Sequence, residues 1–396
     1  MRIAQIRDFG LLCALFSLGL GGIPACSSSS SRSATPCQDG DQRPCACAGT
    51  SGVQLCASGS FGACQCGDGG LGDGSAGAAG SGGTAGAGGS AGQDAGPGGQ
   101  GGSGLATGKS CAGLKPCAGG VSCCATAKVE GGKFQRDNDP APEYTATVAS
   151  FSLDVFEVTV GRFRNFVAAG AAAWAPVAGA GKHTHLGPDG LTGPEKETGW
   201  AAEWQAGVPL NDWNTALTTC AKNGNNKKPT WTASVGQNEN LPLNCVDFAP
   251  AYAFCIWDGG FLPSEAELNY AFVGGDEQRV YPWGTPPALG PKYAVYEATT
   301  ALPPEVGSAP DGAGRWGHFD LAGSLFEWTL DASSASYPLT PCTNCVSVSN
   351  MMHPRAIRGG GWESGAIDVA ANRRYSWDGG GNNVGFRCAY PTPPTP

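Results

Sequence analysis

Apolar residues change from a strand spacing to a helix spacing at Thr159. Residues 154–158 alternate in the manner of a β-strand. Phe163, Phe166 and Val167 then fall at the i, i+3 and i+4 positions of one helix face. Because Thr159 precedes this face and has a side-chain oxygen that can cap a first turn, the pattern predicts a strand, a cap and a helix. We interpret the Glu in the strand, Glu157, as a structural or capping carboxylate rather than a catalytic one.

The block of residues 241–284 predicts two more helices. The first begins at Asp247, a residue type that caps helix amides, and ends at Gly259 and Gly260. Between them, the apolar and aromatic residues predict a helix that is buried in the core.

The second helix of this block begins with a capping-box pattern. Ser264 and Glu267 have the required spacing, and Glu265 lies in the first turn, where a carboxylate suits the helix dipole. Gly274 is a natural stop. Both carboxylates therefore have local structural duties, and we do not assign them as an acid and base pair.

The N-terminal residues have the pattern of an export signal. Arg2 and Arg7 precede an apolar stretch over residues 9–20, which is shorter than the roughly 20 residues that cross a bilayer. A small residue stands before Cys26, as in a bacterial lipoprotein signal. We predict a signal peptide over residues 1–25 and lipidation at Cys26. Ordinary secretory cleavage, with an ordinary cysteine at that position, is the alternative.

Glycine is concentrated in one linker. Of the 43 residues from 67 to 109, 20 are Gly and none is aromatic, so the segment cannot bury enough apolar surface to fold. As a flexible coil it spans about 35 Å. The predicted organisation is a signal peptide (1–25), a lipid-anchored tether (26–36), a small disulfide module (37–66), the linker (67–109), a globular domain (110–390) and a Pro-rich tail (391–396).

Cysteine usage predicts disulfides. The chain has 18 cysteines, and removal of Cys13 with the signal and Cys26 with the lipid leaves an even number. Six lie in residues 37–66 and ten after residue 110, so each group can pair internally in an oxidising compartment. Zinc at the Cys-x-Cys pairs of the first group is the alternative, although their spacing differs from that of usual zinc ligand pairs.

Cys342 and Cys345 have the Cys-x-x-Cys spacing of a redox dithiol. Pro338 and Pro341 indicate that they lie in a loop rather than at a strand-to-helix turn. We predict a structural disulfide, formed with each other or with partners elsewhere, and keep the redox dithiol as the alternative.

The net charge of −9 argues against nucleic acid as a partner, because nucleic-acid binding requires clustered Lys and Arg. We expect contact with the membrane through the lipid anchor alone.

Four sequence blocks carry a family resemblance. They are FEVTVGRFRNFV (156–167), LPSEAE with YPWG (262–267 and 281–284), FDLAGSLFEW (319–328), and the final block from RGGGWESG to GFRCAY (358–390). In this order they resemble the formylglycine-generating enzyme, or sulfatase-modifying factor, family. The resemblance implies an α+β fold of the variant C-type-lectin-like kind, which is rich in loops and here stabilised by disulfides.

The resemblance also implies a copper site, formed in the enzymes of this family by two cysteines shortly after the Arg-Gly-Gly motif. Counted from Arg358, those positions are Ser364 and Val369. A serine hydroxyl is a hard, weak ligand for copper(I) and valine is no ligand. We therefore expect no copper and no catalytic residue at these positions.

Another branch of the fold uses non-haem iron bound by histidines from a helical bundle, and we find no such bundle in the sequence. The histidines are His183, His185, His318 and His353. We interpret the first two as a pair on a surface loop. Calcium is a further family feature, and Ser324 and Glu327 are its candidate ligands here, although Ser324 stands where the family has an asparagine.

Aromatic and amide residues near the pocket region of the family form a candidate binding pocket. They are Trp328, Trp362, Arg374, Tyr375, Trp377 and Asn383. The sequence favours an exported, lipid-anchored binding module at the cell envelope, in the cell membrane or the outer membrane, with the domain in the periplasm or at the cell surface. Its expected ligand is a peptide, a protein or a carbohydrate. An active oxidase with relocated copper ligands and a structural envelope scaffold are the alternatives.

Overall fold

A computed structural model describes residues 109–170, 174–194, 196–208, 212–220, 226–284, 289–334, 337, 341–348 and 354–392, with the backbone of four strands between residues 42 and 66. The predictions for the signal peptide, Cys26, the tether, nearly all of the linker and residues 393–396 of the tail lie outside the described residues, as does His353. The chain divides into two compact units, Met1–Ala91 and Gly92–Pro396.

The described residues of the first unit form four antiparallel strands. They are β1 (Gln42–Cys47), β2 (Thr50–Ala57), β3 (Ser60–Phe61) and β4 (Gln65–Cys66). β2 pairs with each of the other three. Within the described residues 42–66, these four strands form one small sheet around β2.

The second unit combines helices with short strands and long loops. Its helices are α1 (Val160–Ala168), α2 (Trp213–Thr219), α3 (Phe248–Trp257) and α4 (Glu265–Phe272). Its strands are β5 (Thr126–Val129), β6 (Gly132–Gln135), β7 (Thr145–Val148), β8 (Phe151–Asp154), β9 (Phe326–Ala332), β10 (Cys342–Thr343), β11 (Arg355–Arg358), β12 (Arg374–Trp377), β13 (Val384–Gly385) and β14 (Ala389–Pro391).

Three small sheets share these strands, in the orders β14-β8-β5, β10-β7-β6 and β12-β11-β9-β13. β10 is parallel to β7, and β13 is parallel to β9. β14 is antiparallel to β8, with Tyr390 opposite Ser152, so the last strand of the domain lies beside one of its first. The architecture is α+β, as the sequence predicts.

The predicted strand and helix around Thr159 are both present, but the strand is displaced. β8 ends at Asp154, where the predicted strand begins, and all four of its residues are buried. A strand that is buried on both faces loses the alternation that a sequence search uses. The cap of α1 is confirmed, because the Thr159 hydroxyl accepts a hydrogen bond from the Arg162 amide at 3.3 Å.

The caps of the two later helices differ in outcome. The capping box of α4 is confirmed, with Ser264 and Glu267 each accepting from the other's backbone amide. Asp247 stands at the start of α3 as predicted, but its side chain does not cap the helix. Its carboxylate accepts instead from the Gly380 amide, because a glycine loop distant in sequence packs against this helix end.

Aromatic rings fill the largest core cluster. Phe163 of α1 lies at the centre, with its ring centroid 5.2 to 5.5 Å from those of Phe166, Trp213 and Phe254. Such offset and edge-to-face contacts stabilise the packing beyond the apolar area they bury. The aromatic content of the sequence therefore holds α1, α2 and α3 together.

All ten cysteines after residue 110 form disulfides. The pairs are Cys111–Cys124, Cys117–Cys123, Cys220–Cys245, Cys255–Cys388 and Cys342–Cys345. The predicted internal pairing of this group is confirmed. The six cysteines of residues 37–66 lie where side chains are outside the described part of the structure. Among the helices that the structure describes, none has the length and apolarity needed to cross a bilayer.

Candidate functional site

The loop that follows β11 carries the positions that the family resemblance singles out. Arg358 ends the strand with its guanidinium buried against Glu265, Asp137 and the Tyr337 hydroxyl. Burial by itself favours the neutral guanidine, but Glu265 and Asp137 raise the pKa of Arg358 above its usual value. The motif arginine is therefore an internal cation that joins β11 to α4.

Two glycines let the chain turn away from Arg358. Gly359 and Gly360 have φ values of +104° and +78°, which favour glycine. A Cβ on Gly360 would lie 2.9 Å from a methyl carbon of Val369. The loop thus folds back until its two ends touch.

Ser364 and Val369 are both engaged within this loop. The Ser364 hydroxyl accepts from the Gly361 amide at 3.0 Å. Val369 is fully buried and shares a small apolar cluster with Tyr281 and Ala322. Neither residue supplies a thiolate, and all ten cysteines of the described domain are in disulfides. The residues present here therefore do not fit a copper(I) site.

Two residues of the predicted pocket belong to the core. Trp328 is 1% exposed and its indole donates to the Val246 carbonyl at 2.9 Å. Trp362 is fully buried, and the Lys228 ammonium lies 4.8 Å from its ring centroid. The same ammonium binds Glu363 at 2.6 Å. These contacts give both indoles a packing role, and neither presents a face to a ligand.

The other predicted pocket residues lie at or near the surface of β12 and its neighbours. Tyr375 is 37% exposed, its ring packs edge-on against Phe326, and its hydroxyl donates to Asp368. Trp377 is half-buried and, two residues along the same strand, shares a face with Tyr375. Arg374 points to the opposite face, where its guanidinium lies over the Tyr337 ring.

Asn383 is half-buried and adjoins this surface. Its carbonyl accepts from the Phe326 amide at 2.7 Å, and its side chain lies against Gly361. Ile367, next to Asp368, is 61% exposed. We name Phe326, Ile367, Tyr375 and Asn383 the aromatic patch. Sequence reasoning missed Phe326 and Ile367, because only the folded structure shows that Ile367 is exposed and that Phe326 is half-buried at the margin of the core.

Ser324 and Glu327 lie in a buried hydrogen-bond network. Both Glu327 oxygens accept from the Arg387 guanidinium, at 2.7 to 2.9 Å. The Ser324 hydroxyl donates to Glu157 at 2.7 Å. Because the Arg387 guanidinium already binds both oxygens of Glu327, this donor set does not fit calcium. Within the described ranges, no group of three His, Cys, Asp or Glu residues is placed to hold a metal ion.

Three carboxylates share this interior with one guanidinium. Burial raises the pKa of Glu157 well above its usual value, with Asp320 and Glu327 adding to the effect, and raises that of Asp320 to about 6. Burial and the charge of Arg387 together lower the pKa of His318 to about 3. The motif residues of the first, third and last sequence blocks thus meet in a buried ionic network whose role is structural.

The prediction of a surface pair of histidines is wrong for His183. Its ring is fully buried, with Nδ1 2.7 Å from Glu197 and Nε2 3.2 Å from Glu267. Burial favours the neutral ring, but the two carboxylates raise the pKa of His183 to about 9. His185 is half-buried and stacks on Phe261. The loop carries His183 into the interior, where the two carboxylates stabilise its imidazolium.

Comparison with known proteins gives the family of this domain. The profile of the sulfatase-modifying factor enzyme 1-like domain matches residues 120–391. The chain belongs to this family, and its α+β domain, with many loops and several disulfides, has the family fold.

Both inactive and active family members are among its relatives. The chain is 27% identical over 304 residues to the inactive C-alpha-formylglycine-generating enzyme 2 of Mus musculus, covering 67% of this chain and 85% of that protein. It is 26% identical over 268 residues to the formylglycine-generating enzyme of Streptomyces coelicolor, covering 63% and 80%. Of solved structures, PvdO from Pseudomonas aeruginosa is similar at 19% identity and a TM-score of 0.45, covering 67% of this chain and 94% of that one.

Proposed function

We propose that this domain is a binding module that does not catalyse the copper-dependent oxidation of its family. The observation that carries the proposal is the loop after β11, where Ser364 and Val369 stand in place of the two family cysteines and are engaged in internal contacts. Because the described domain pairs all ten of its cysteines, it has no thiolate with which to replace that site. The described domain therefore has no set of ligands that could hold copper for the oxidation of a substrate cysteine.

The aromatic patch is the surface that we propose binds a ligand. Tyr375 offers an exposed ring beside the half-buried ring of Phe326, Ile367 offers exposed apolar area, and the half-buried Asn383 adjoins them. Aromatic rings beside a few polar groups suit carbohydrate, peptide or protein ligands.

We further propose that the protein is exported and anchored by a lipid on Cys26, in the cell membrane or outer membrane. The five disulfides support an oxidising compartment. A tether and a Gly-rich linker would then hold the binding domain away from the membrane, in the periplasm or at the cell surface.

The first test separates a binding module from an oxidase. The full chain is incubated with copper and oxygen and a peptide of the family's usual substrate pattern, Cys-x-Pro-x-Arg, and the peptide is weighed by mass spectrometry. We expect this chain to form no aldehyde from the cysteine, whereas the Streptomyces coelicolor enzyme, as control, converts it to an aldehyde. Conversion by this chain would favour an active oxidase with relocated ligands.

The second test separates a binding module from a scaffold. The immobilised chain is screened against a glycan array and a peptide library, and retained probes are rescreened with Tyr375→Ala and with Val177→Ala. Val177 is a control because it is 76% exposed and lies outside the aromatic patch. We expect Tyr375→Ala alone to weaken retention. Equal retention by both variants, or no retained probe, would favour the scaffold.

A further inference from the structure

The disulfide between Cys342 and Cys345 closes a four-residue turn at the edge of a sheet. Cys342 is partly exposed, whereas Cys345 is 4% exposed. The turn is fixed from both sides, since the Asn344 amide donates to the Thr147 carbonyl at 2.8 Å and the Asn344 side chain accepts from the Ala149 amide at 2.7 Å. Cys342 is thus the more accessible of the two residues, and Cys345 is held inside by the turn.

A buried cation faces the inner sulfur. A guanidinium nitrogen of Arg136 lies 3.8 Å from the Cys345 sulfur, within hydrogen-bonding distance for sulfur. Arg136 is 3% exposed and is stacked on the ring of Tyr337, 3.8 Å from its centroid. A neighbouring arginine stabilises a thiolate relative to a thiol. The cysteine that would leave when the disulfide opens is therefore the one beside the positive charge.

Two carboxylates line the small cavity beside Cys345, and each already has other partners. Glu265 accepts from Arg358. Asp331 accepts from the amides of Glu265 and Ser347, and burial raises its pKa to about 7. Both carboxylates near the Cys345 sulfur are therefore already engaged, one by Arg358 and the other by backbone amides.

From this placement we propose that Cys342–Cys345 is an exchangeable disulfide that oxidises thiols of peptides or proteins. A substrate thiolate attacks the Cys342 sulfur, a mixed disulfide forms, and the Cys342–Cys345 bond breaks with its electron pair on the Cys345 sulfur. A second substrate thiolate then attacks the substrate sulfur of the mixed disulfide. The substrate leaves as a disulfide, and Cys342 and Cys345 carry the two electrons as a dithiol. A low-molecular-weight disulfide reoxidises them by the same exchange.

The first experiment measures which disulfides of the full chain exchange in the folded state. The protein is equilibrated in glutathione buffers of graded potential, free thiols are alkylated, and each cysteine is read by mass spectrometry. We expect Cys342 and Cys345 to equilibrate while Cys255–Cys388, with both residues fully buried, stays oxidised. Equal resistance of the two disulfides would overturn the proposal.

The second experiment tests which sulfur is attacked. Cys345→Ala leaves the more accessible thiol, and Cys342→Ala leaves the buried one, so each is the matched control of the other. With a glutathione disulfide probe we expect Cys345→Ala to form a mixed disulfide at least about tenfold faster, because the rate depends on access to the sulfur. Equal rates would contradict the proposal.

The third experiment tests the cation. Arg136→Gln removes the charge and Arg136→Lys keeps it, and each is assayed for oxidation of a dithiol peptide. We expect the rate to fall about 3- to 10-fold in Arg136→Gln, because the leaving thiolate loses its cation, and to recover in part in Arg136→Lys. Near-ultraviolet circular dichroism confirms that both variants are folded. An unchanged rate in folded Arg136→Gln would overturn the role of this residue.

Discussion

Arg387 binds both carboxylate oxygens of Glu327 in the interior of the domain, with each residue fully buried. Glu327 belongs to the GSLFEW block and Arg387 to the closing GFRC block, so the pair joins β9 to the chain that enters β14. The same guanidinium donates to the carbonyls of Asp154 and Phe319. Two motifs that mark the family in sequence are therefore parts of one ionic contact.

Removal of this cation should cost more than removal of its partner. Arg387→Met leaves Glu327, Glu157 and Asp320 buried without a counter-charge, so we expect a loss of about 3 to 5 kcal/mol in the free energy of unfolding. Glu327→Gln leaves two carboxylates that can still offset the guanidinium. The free energy of unfolding should therefore fall less in Glu327→Gln than in Arg387→Met. Urea denaturation of the full chain measures both.

Lys196→Ala is the control for this prediction, because Lys196 pairs with Asp189 at the surface, where both side chains are mostly exposed. It should change stability by less than about 1 kcal/mol. A loss in Arg387→Met no larger than in this control would show that the buried network does not stabilise the fold.

The contact of His183 with Glu197 and Glu267 should make stability depend on pH. The folded pKa of about 9 lies above the unfolded value near 6.5, so the stabilisation is fully present below pH 6.5 and is lost as pH rises through 9. We expect the stability difference between wild type and His183→Gln to shrink over this interval, by up to about 3 kcal/mol. Urea denaturation at pH 6, 7.5 and 9.5 checks it, and a constant difference would contradict it.

The disulfides should contribute unequally to the free energy of unfolding, because they close loops of different length. Cys255 and Cys388 are 133 residues apart, whereas Cys117 and Cys123 are 6 apart. Chain entropy in the unfolded state gives about 5 kcal/mol for the long loop and about 2 kcal/mol for the short one. Paired Cys→Ala substitutions of each bridge, followed by thermal unfolding, measure the two losses. Equal losses would argue that strain or contacts, not loop length, set the contribution.

Gly323 should resist substitution more strongly than another glycine of similar backbone conformation. Gly323 has φ +79° and Gly113 has φ +73°, but an added Cβ at Gly323 would lie 2.4 Å from the Val295 carbonyl oxygen, whereas nothing lies within 4 Å at Gly113. We expect Gly113→Ala to cost about 1 to 2 kcal/mol from its backbone alone, and Gly323→Ala about 1 to 3 kcal/mol more from the clash. Denaturant unfolding compares the two variants. Equal costs would refute the close approach of the Val295 carbonyl to Gly323.

Interactions between nearby residues were predictable wherever spacing alone creates them. The caps of α1 and α4 join residues three apart, so the order of residue types was enough. Asp247 shows the limit of this reasoning, because its carboxylate is taken by Gly380, 133 residues away. In the folded chain, amides of distant segments compete with the helix amides for a capping side chain. The sequence does not show which amide will bind it.

Burial was harder to predict than helix caps. Polar residues lie mostly at the surface, so the sequence predicts a surface position for the histidine pair, but the structure supplies two buried carboxylates to His183. In the other direction, the sequence predicts a pocket that includes Trp328 and Trp362, and the structure places both in the core. Each error concerns a partner from a distant part of the chain.

The sequence by itself determined the family, the α+β class, the helix caps set by three-residue spacing, and the absence of the two copper-binding cysteines at Ser364 and Val369. Only the tertiary structure decided that Glu265 joins Arg358, 93 residues away, that Arg136 faces Cys345, and that Ile367 and Tyr375 are exposed, with Tyr375 packed on the half-buried Phe326. The reason is physical. Hydrogen bonds within a helical turn depend on residue order, whereas the pairing of buried charges and the exposure of apolar side chains depend on which distant segments the fold packs together.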